Sequence, residues 1–498
     1  MALHLGKIQV KQGKWTPSCT TEWNLIDNQL KYPAIRRILE YADKRMLTTL
    51  IASGVTSQYA LGYQKTQIGE IPQDKVIGNN SYQFDIMGRI QQASEINYQV
   101  GGTQPDGTFQ LSMKDDYLVP GMNCLFHGQN FQARVMGMPQ GSSGSYIYTF
   151  KAPDGTLFAW ATHVAPQQGP KTAFGGYTSY SEKSLRGYGR FHTPDTFMQH
   201  MTISRKGFGV SGGAGSDVLW IEYENDNGAT SKGWYYVQQQ QARVQRMMED
   251  ETMYWDGISS MKDPTTGKLL SYSTLGNDPE TGLPITQGDG ILRQIEGSNV
   301  SFGSAQDGTQ TINDIIDMMT VLEKKCNMVS GKEWVCVTGT DGYATAQREL
   351  KDYAYSALGM RSNIDMEGNT EIGGKTIDVG YTFRSFNING NKVTFVKHPE
   401  WDNEQKYTER GRNGKLLRSG MMVFLDLSTE NGRRNLEILT KGGNGFSRRE
   451  VSAEINGLTG KTGSPVYTSE DALRYEVLSE KMIVMYNTVS SGIIYMTP

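Results

Sequence analysis

Cysteine is scarce in this chain, and its scarcity excludes two classes at once. Of 498 residues only 4 are cysteines: Cys19, Cys124, Cys326 and Cys336. None forms a Cys-x-x-Cys pair, so neither a disulfide framework nor a zinc site is expected. They read as small buried hydrophobes with free thiols. Long apolar runs are missing as well. No stretch approaches about 18 apolar residues, the length that a membrane-spanning helix needs. The mean hydropathy of −0.50 agrees with that. Met1-Ala-Leu-His-Leu-Gly-Lys7 lacks the charged start and apolar run of a signal peptide, so the product is expected to stay in the cytosol that makes it. Net charge is nearly absent too: 49 basic against 52 acidic residues leave −3, which is no nucleic-acid-binding composition.

Catalytic signatures are equally sparse. The histidines His4, His127, His163, His192, His200 and His398 lie far apart, and no Gly-x-Ser-x-Gly elbow accompanies them. His398-Pro-Glu-Trp-Asp402 gathers a histidine and two carboxylates, but without the i, i+4 spacing that holds a metal on a helix. Gly207-Phe-Gly-Val-Ser-Gly212 matches the dinucleotide pattern. That site needs a helix to follow, so that the pyrophosphate meets the helix N-terminus, and the strand-like Val218-Leu-Trp-Ile-Glu-Tyr223 follows instead. Gly457-Leu-Thr-Gly-Lys-Thr462 has two residues between its glycines where a phosphate loop needs four, so a surface turn is expected. No catalytic residue, cofactor or metal is expected.

What the chain does have is length for two or three cores and a wealth of glycine. Its 57 glycines are dispersed, which predicts many turns and no disordered tail, and no internal repeat stands out. Residues 1–31 are polar and aperiodic, with Trp15 and Trp23 as isolated large apolar groups. They read either as an arm draped over a neighbour or as a terminus docked on its own subunit. Pro33 opens a predicted helix through Ile35, Ile38, Leu39, Ala42 and Met46, closed by Gly54. From Ser81 to about Phe208 the chain alternates polar and apolar residues, as half-exposed strands do: residues 82–90, 131–136 and 146–150. Gly137-Met-Pro-Gln-Gly-Ser-Ser-Gly144 joins the last two as a turn. Residues 166–200 read as a mobile or partner-ordered segment. Further on, helices are predicted over 237–254, 311–326 and 343–358, with a strand at 333–337. Met247, Met248, Met253, Met318 and Met319 lie on these helices, either as intrachain core or as an adaptable subunit interface.

Two apolar stretches, Val393-Thr-Phe-Val-Lys-His-Pro-Glu-Trp-Asp402 and Met421-Met-Val-Phe-Leu-Asp-Leu-Ser428, read as buried strands. The polar connection between them is about 24 residues, far longer than usual. It carries Glu404, Lys406, Glu409, Arg410, Arg412, Lys415 and Arg418, and reads as an element that touches something outside its own domain.

This strand–loop–strand resembles the major capsid proteins of tailed bacteriophages, the Hong Kong 97-type fold. The resemblance extends to the helix–strand–helix at 311–358 and to the helix ending in Tyr254-Trp-Asp-Gly257, which is similar to that family's spine helix. It extends also to Val466-Tyr-Thr-Ser-Glu-Asp471 leading into Met482-Ile-Val-Met-Tyr486, like its closing strands. These patterns cover roughly residues 200–498, and the polar, Gly-, Gln- and Met-rich tone resembles the crAss-like phages of gut Bacteroides. The resemblance implies an α+β fold with an N-terminal arm, an extended β-hairpin loop, a spine helix, and peripheral and axial domains. The corresponding spans are 1–55 for the arm and first helix, 56–234 for the extended-loop region, 235–300 for the spine helix and peripheral domain, 301–450 for the axial domain, and 451–498 for strands returning to the peripheral domain. An enlarged, β-rich insertion is expected between 81 and 208.

The implied function is structural: a capsid subunit self-assembling into hexamers and pentamers around packaged double-stranded DNA, in a virion made in a bacterial cytoplasm. Neutral overall charge suits a shell along which DNA must slide without sequence-specific binding. Implied partners are copies of itself, auxiliary or decoration proteins, portal and scaffold; no membrane is implied. Trp15, Trp23, Glu404, Glu409, Arg410, Arg412 and Arg418 are the candidate interface residues. Two alternatives stay open on the residues alone. One is another virion part, from tail or baseplate. The other is a carbohydrate-active enzyme or binding module, suggested by the Tyr, Trp and carboxylate content.

Overall fold

The computed structural model describes residues 19–20, 36–38, 75–86, 93–126, 131–142, 144–165, 171–184, 187, 195–213, 221–224, 230–232, 234–263, 269–295, 297–326, 333–358, 385–388, 391–427, 429–430, 433–459 and 465–498. Contacts divide the chain into two units, 84–197 and the remainder. The strands Ser81–Ile86 and Asp195–His200, which carry the chain out and back, pair with each other.

In the 84–197 unit, six strands close on themselves: β1 (Ala93–Val100), β2 (Thr108–Met113), β3 (Met122–Phe126), β4 (Phe131–Val135), β5 (Ser145–Lys151) and β6 (Thr172–Thr178). The order is β2-β1-β6-β3-β4-β5, and β5 returns to pair with β2 along Tyr146↔Met113 to Lys151↔Thr108. Closure leaves these six strands no free edge. Strict alternation explains it: Phe131, Ala133 and Val135 are buried while Gln132 and Arg134 are half-buried. The interior is aromatic, with Phe109 stacked on Phe158 at 4.0 Å and against Phe150 at 5.5 Å. Buried Tyr148 donates its hydroxyl hydrogen bond to the Leu118 carbonyl at 3.1 Å, so its own polar end is satisfied. Two expectations need correction here. The Gly137–Gly144 connection carries a short strand, Gln140–Ser142, paired with β5. And residues 172–178, expected to wait for a partner, form β6, because β1 and β3 would otherwise each expose an unpaired edge.

Among the described residues the larger unit holds two main sheets, smaller three- and two-stranded ones, and three long helices. Strand β7 (Thr202–Ser211) precedes helix α1 (Trp234–Asp256), α2 (Ile312–Cys326), β8 (Glu333–Thr338) and α3 (Thr340–Leu358). Then come β9 (Asn391–Lys397), β10 (Met422–Asp426), β11 (Leu436–Gly443), β12 (Val451–Asn456), β13 (Ala472–Met485) and β14 (Gly492–Tyr495). One sheet orders its main strands β14-β10-β8-β9 between the short strands Val300–Phe302 and Ser385–Ile388. The other is built on the long β13, which pairs with β7 along ten residues, with β12 over its first half and with β11 over its second.

The first sheet is covered on both faces. Trp334 and Cys336 of β8 join Ile315, Met318, Met319 and Leu322 of α2 and Ala346 and Leu350 of α3. Val335 and Val337 point the other way, into a cluster with Tyr254, Trp255, Trp401, Ile438 and Ile483. Double coverage is why β10 reads Met-Val-Phe-Leu-Asp with every residue buried, a continuous run and not an alternation. Met318 and Met319 therefore belong to the intrachain core, and Met253 packs beside it. Burial of Cys336 pushes its thiol well up, and burial pushes Cys124 to about 12, so both are inert. Cys19 and Cys326 have side chains outside the described residues.

The predicted helices at 237–254, 311–326 and 343–358 are α1, α2 and α3, and α2 opens on a capping box. There the Thr311 backbone N–H donates to Asp314 at 2.8 Å and the Asp314 N–H donates to the Thr311 hydroxyl at 3.3 Å. The helix predicted from Pro33 is contradicted where it can be seen. Arg36–Ile38 is a strand, parallel to Ile221–Tyr223, so tertiary pairing overrides the local helical spacing. The rest of that prediction lies outside the described residues. Gly207 and Gly209 of the dinucleotide-like pattern sit inside β7, opposite Glu476 and Arg474. Among the described residues no helix is long and apolar enough to cross a membrane.

Candidate assembly surface

The connection between β9 and β10 has a structural reason to be long. β8 lies between those two strands, parallel to β9 and antiparallel to β10, so the chain must cross over the end of β8 to reach its place. It does so as a folded corner and not as a slack loop. A 3₁₀ turn, Pro399–Asp402, starts it, Arg410 and Leu416 form a bridge, and a helical turn, Leu417–Gly420, ends it.

The corner is anchored by residues whose anchoring role the sequence does not reveal. Asp402 accepts the Thr340 backbone N–H at 2.8 Å and the Ser419 hydroxyl at 2.5 Å, and Ser419 Oγ accepts the Asp341 N–H at 3.0 Å. Two free amides at the start of α3 are thus capped from 60 to 80 residues away. Asp402→Ala is expected to cost about 0.5–2 kcal/mol in a urea titration, with Asp402→Asn losing less because it keeps an acceptor. An unchanged midpoint for the alanine variant would show that the cap contributes nothing. Trp401, fully buried, stacks on His398 at 4.9 Å and meets Trp255 edge-on at 4.8 Å.

The seven candidate residues divide. Arg418 turns inward: its guanidinium lies 5.0 Å above Trp401 and 5.1 Å from Tyr407, and it pairs with Asp256. Asp256 ends α1, where the helix dipole disfavours a carboxylate, and Arg418 with the Tyr407 hydroxyl (3.0 Å) offsets that. Burial, the largest cause, pushes the Tyr407 hydroxyl well above its ordinary range, with Arg418 opposing it. Arg418 therefore serves its own chain. Glu404, Glu409, Arg410 and Arg412 stay exposed. Within the chain Arg410 pairs with Glu404 at 3.5 Å, and Arg412 donates to the Pro498 carbonyl at 3.1 Å. Trp15 and Trp23 lie outside the described residues. Ser419 and Tyr407 carry no local signal. His398, Glu400, Trp401 and Asp402 drew attention only as a metal-like cluster, and Asp256 only within the Tyr254–Gly257 helix end. Among the described residues no group of three His, Cys, Asp or Glu could hold a metal.

The corner thus presents exposed charges of both signs beside a sheet that is covered on both faces. The family model for the crassvirus major capsid protein matches residues 2–497. The chain belongs to that family. This capsid protein is a structural subunit of the virion shell, assembling with copies of itself, which sets aside the tail and baseplate reading. No curated protein matches it in sequence. Among solved structures it is similar to the SrpI encapsulin of Synechococcus elongatus (9% identity, 61% of this chain and 76% of that one, TM-score 0.31). It is similar also to a structure from Mycobacterium phage Patience (9%, 64% and 78%, TM-score 0.30) and to the capsid of cyanophage A-1(L) (10%, 65% and 85%, TM-score 0.34). Likenesses this loose carry no residue-by-residue correspondence.

Proposed function

We propose that this subunit builds an icosahedral shell of the Hong Kong 97 type, in hexamers and pentamers, around packaged double-stranded DNA. The observation that carries the reading is the 398–421 corner. It is locked to α1 and α3 by Asp256, Asp402 and Ser419, and it leaves Glu404, Glu409, Arg410 and Arg412 facing outward. Pre-organised charges of both signs set register between repeated copies at little ordering cost. In this reading residues 301–450 form the axial domain and 235–300 the spine helix and peripheral domain, to which 451–498 return. Residues 1–55 are the arm, and 56–234 the extended-loop region with its β-rich insertion.

The subunit acts by assembly and not by catalysis. Copies are made in the cytoplasm of a bacterial host, and scaffold, portal and auxiliary proteins join them. DNA contacts the inner face without sequence readout, as the net charge of −3 suits. The purified chain, alone or with scaffold, is expected to form closed shells or rings visible by electron microscopy. A chain that stays monomeric under every assembly condition, scaffold included, would overturn the reading.

A further inference from the structure

Two stretches far apart in the chain are clasped together around a buried histidine. Residues 199–202, where the chain re-enters the larger unit, lie against residues 286–289, which follow α1. Hydrogen bonds close the clasp. The Thr286 hydroxyl donates to the Met201 carbonyl at 2.8 Å, the Gly288 N–H to the Thr202 hydroxyl at 3.1 Å, and the Asp289 N–H to the Gln199 side-chain carbonyl at 3.2 Å. The 286–289 side is anchored to the body. The Gln294 amide donates to the carbonyls of Asp289 at 2.8 Å and of Ile483 in β13 at 3.0 Å. The Gly290 N–H donates to the Gly257 carbonyl, just past the end of α1, at 2.9 Å. The fit leaves no slack: a Cβ on Gly288 would come within 2.4 Å of the His200 carbonyl oxygen.

His200 sits in this clasp, 8% exposed, and its buried Nδ1 makes no hydrogen bond among the described residues. The charged groups beside it are Lys262, from the segment 257–263, and Asp289, from the clasp itself. Asp289 is already committed: it pairs with Lys262 and accepts the Ser259 N–H at 2.8 Å. A proton on His200 is therefore a second cation beside a carboxylate that one cation has taken, and a buried charge without its own partner is costly. Water is the remaining way to solvate it, and water reaches the ring only when the two stretches part. We propose that His200 is an acid-operated latch, whose protonation releases residues 286–289 from residues 199–202. Burial first and the Lys262 ammonium second hold the imidazole below the ordinary histidine value of about 6.5, with the Asp289 carboxylate opposing them. The open latch binds its proton at the ordinary value. The closed form is thus fully favoured above that value and weakens as pH falls from it toward the lowered one. The latch is a property of one subunit and does not depend on the shell reading.

Hydrogen exchange in the full-length chain tests it. The Gly288 and Asp289 amides, which donate across the clasp, are read and corrected for the intrinsic pH dependence of exchange. Between about pH 7.5 and about pH 5.5 their protection is expected to fall about threefold or more, while amides inside α2 keep theirs. His200→Gln, which cannot take the proton, is expected to lose that acid response. Should His200→Gln fail to fold, Lys262→Gln decides. It removes the competing cation and frees Asp289 for the imidazolium, so the acid response is expected to shrink or reverse. An acid response as large in His200→Gln as in the unaltered chain would overturn the proposal. So would an unchanged response in Lys262→Gln, an equal loss of protection throughout α2, or no response in the unaltered chain.

Discussion

Asp250→Ala is expected to destabilise the larger unit by about 3–5 kcal/mol, the typical cost of leaving a buried charge without its partner. Asp250 sits on α1, 3% exposed, and receives Lys481 of β13 at 2.8 Å. Arg246, one turn earlier on α1, approaches the same carboxylate at 3.8 Å, and its own side chain is 4% exposed. Removing the carboxylate leaves the Lys481 ammonium and much of the Arg246 charge facing low-dielectric surroundings. Arg246 retains Glu450 at 3.4 Å, so Lys481 suffers most. Urea unfolding should therefore show a lower midpoint with an unchanged slope. Replacing all three residues at once by methionine or leucine is expected to be near neutral, since the desolvation penalty goes with the charges. A loss below about 1 kcal/mol for Asp250→Ala would mean that water reaches the site and that the group is not buried in solution. The network joins the long helix to the long strand, so its loss should also loosen the body on which the corner stands.

The second large effect is expected on assembly and not on stability. Reversing Arg410 and Arg412 to Glu should reduce capsomer formation about tenfold or more, as like charges then face one another around a ring. The isolated chain should hardly notice. The Arg410–Glu404 pair is 50% and 70% exposed, and such pairs are worth about 0–1 kcal/mol. Circular dichroism of the monomer should be unchanged. Reversing Glu404 and Glu409 to Lys in the same chain should restore part of the yield, which sedimentation would read. Arg418 is left alone in this design, because altering it would strip Asp256 of its partner and confuse folding with assembly. Capsomers at the normal level from the arginine reversal alone would rule out a role for these charges between copies.

Much of this could be read in the sequence because local physics sufficed. Helix α2 has Ile315, Met318, Met319 and Leu322 at helical spacing behind a Thr311–Asp314 box, and a helix follows from that pattern wherever it lies. β4 alternates, because one face meets an aromatic interior and the other faces outward. β10 stood out as a nearly continuous apolar run, the mark of a sheet covered twice, and β9 as a shorter one through Val393, Phe395 and Val396. Arg36–Ile38 was misread because helical spacing was present and its strand partner lies near residue 222.

What the sequence by itself determined is element type, the absence of metal and disulfide signatures, and a charged connection too long to be idle. These depend on neighbours a few residues away. What only the tertiary structure decided is the use of each polar group. Asp402 caps a helix that begins 62 residues earlier, Arg418 reaches Asp256 across 162 residues, and Lys481 finds Asp250 across 231. No local pattern separates Arg418, which turns inward to Asp256, from Arg410 and Arg412, which stay exposed. That choice follows from which backbone amides and carboxylates the packed sheets bring within about 3 Å, a distance set by the whole fold.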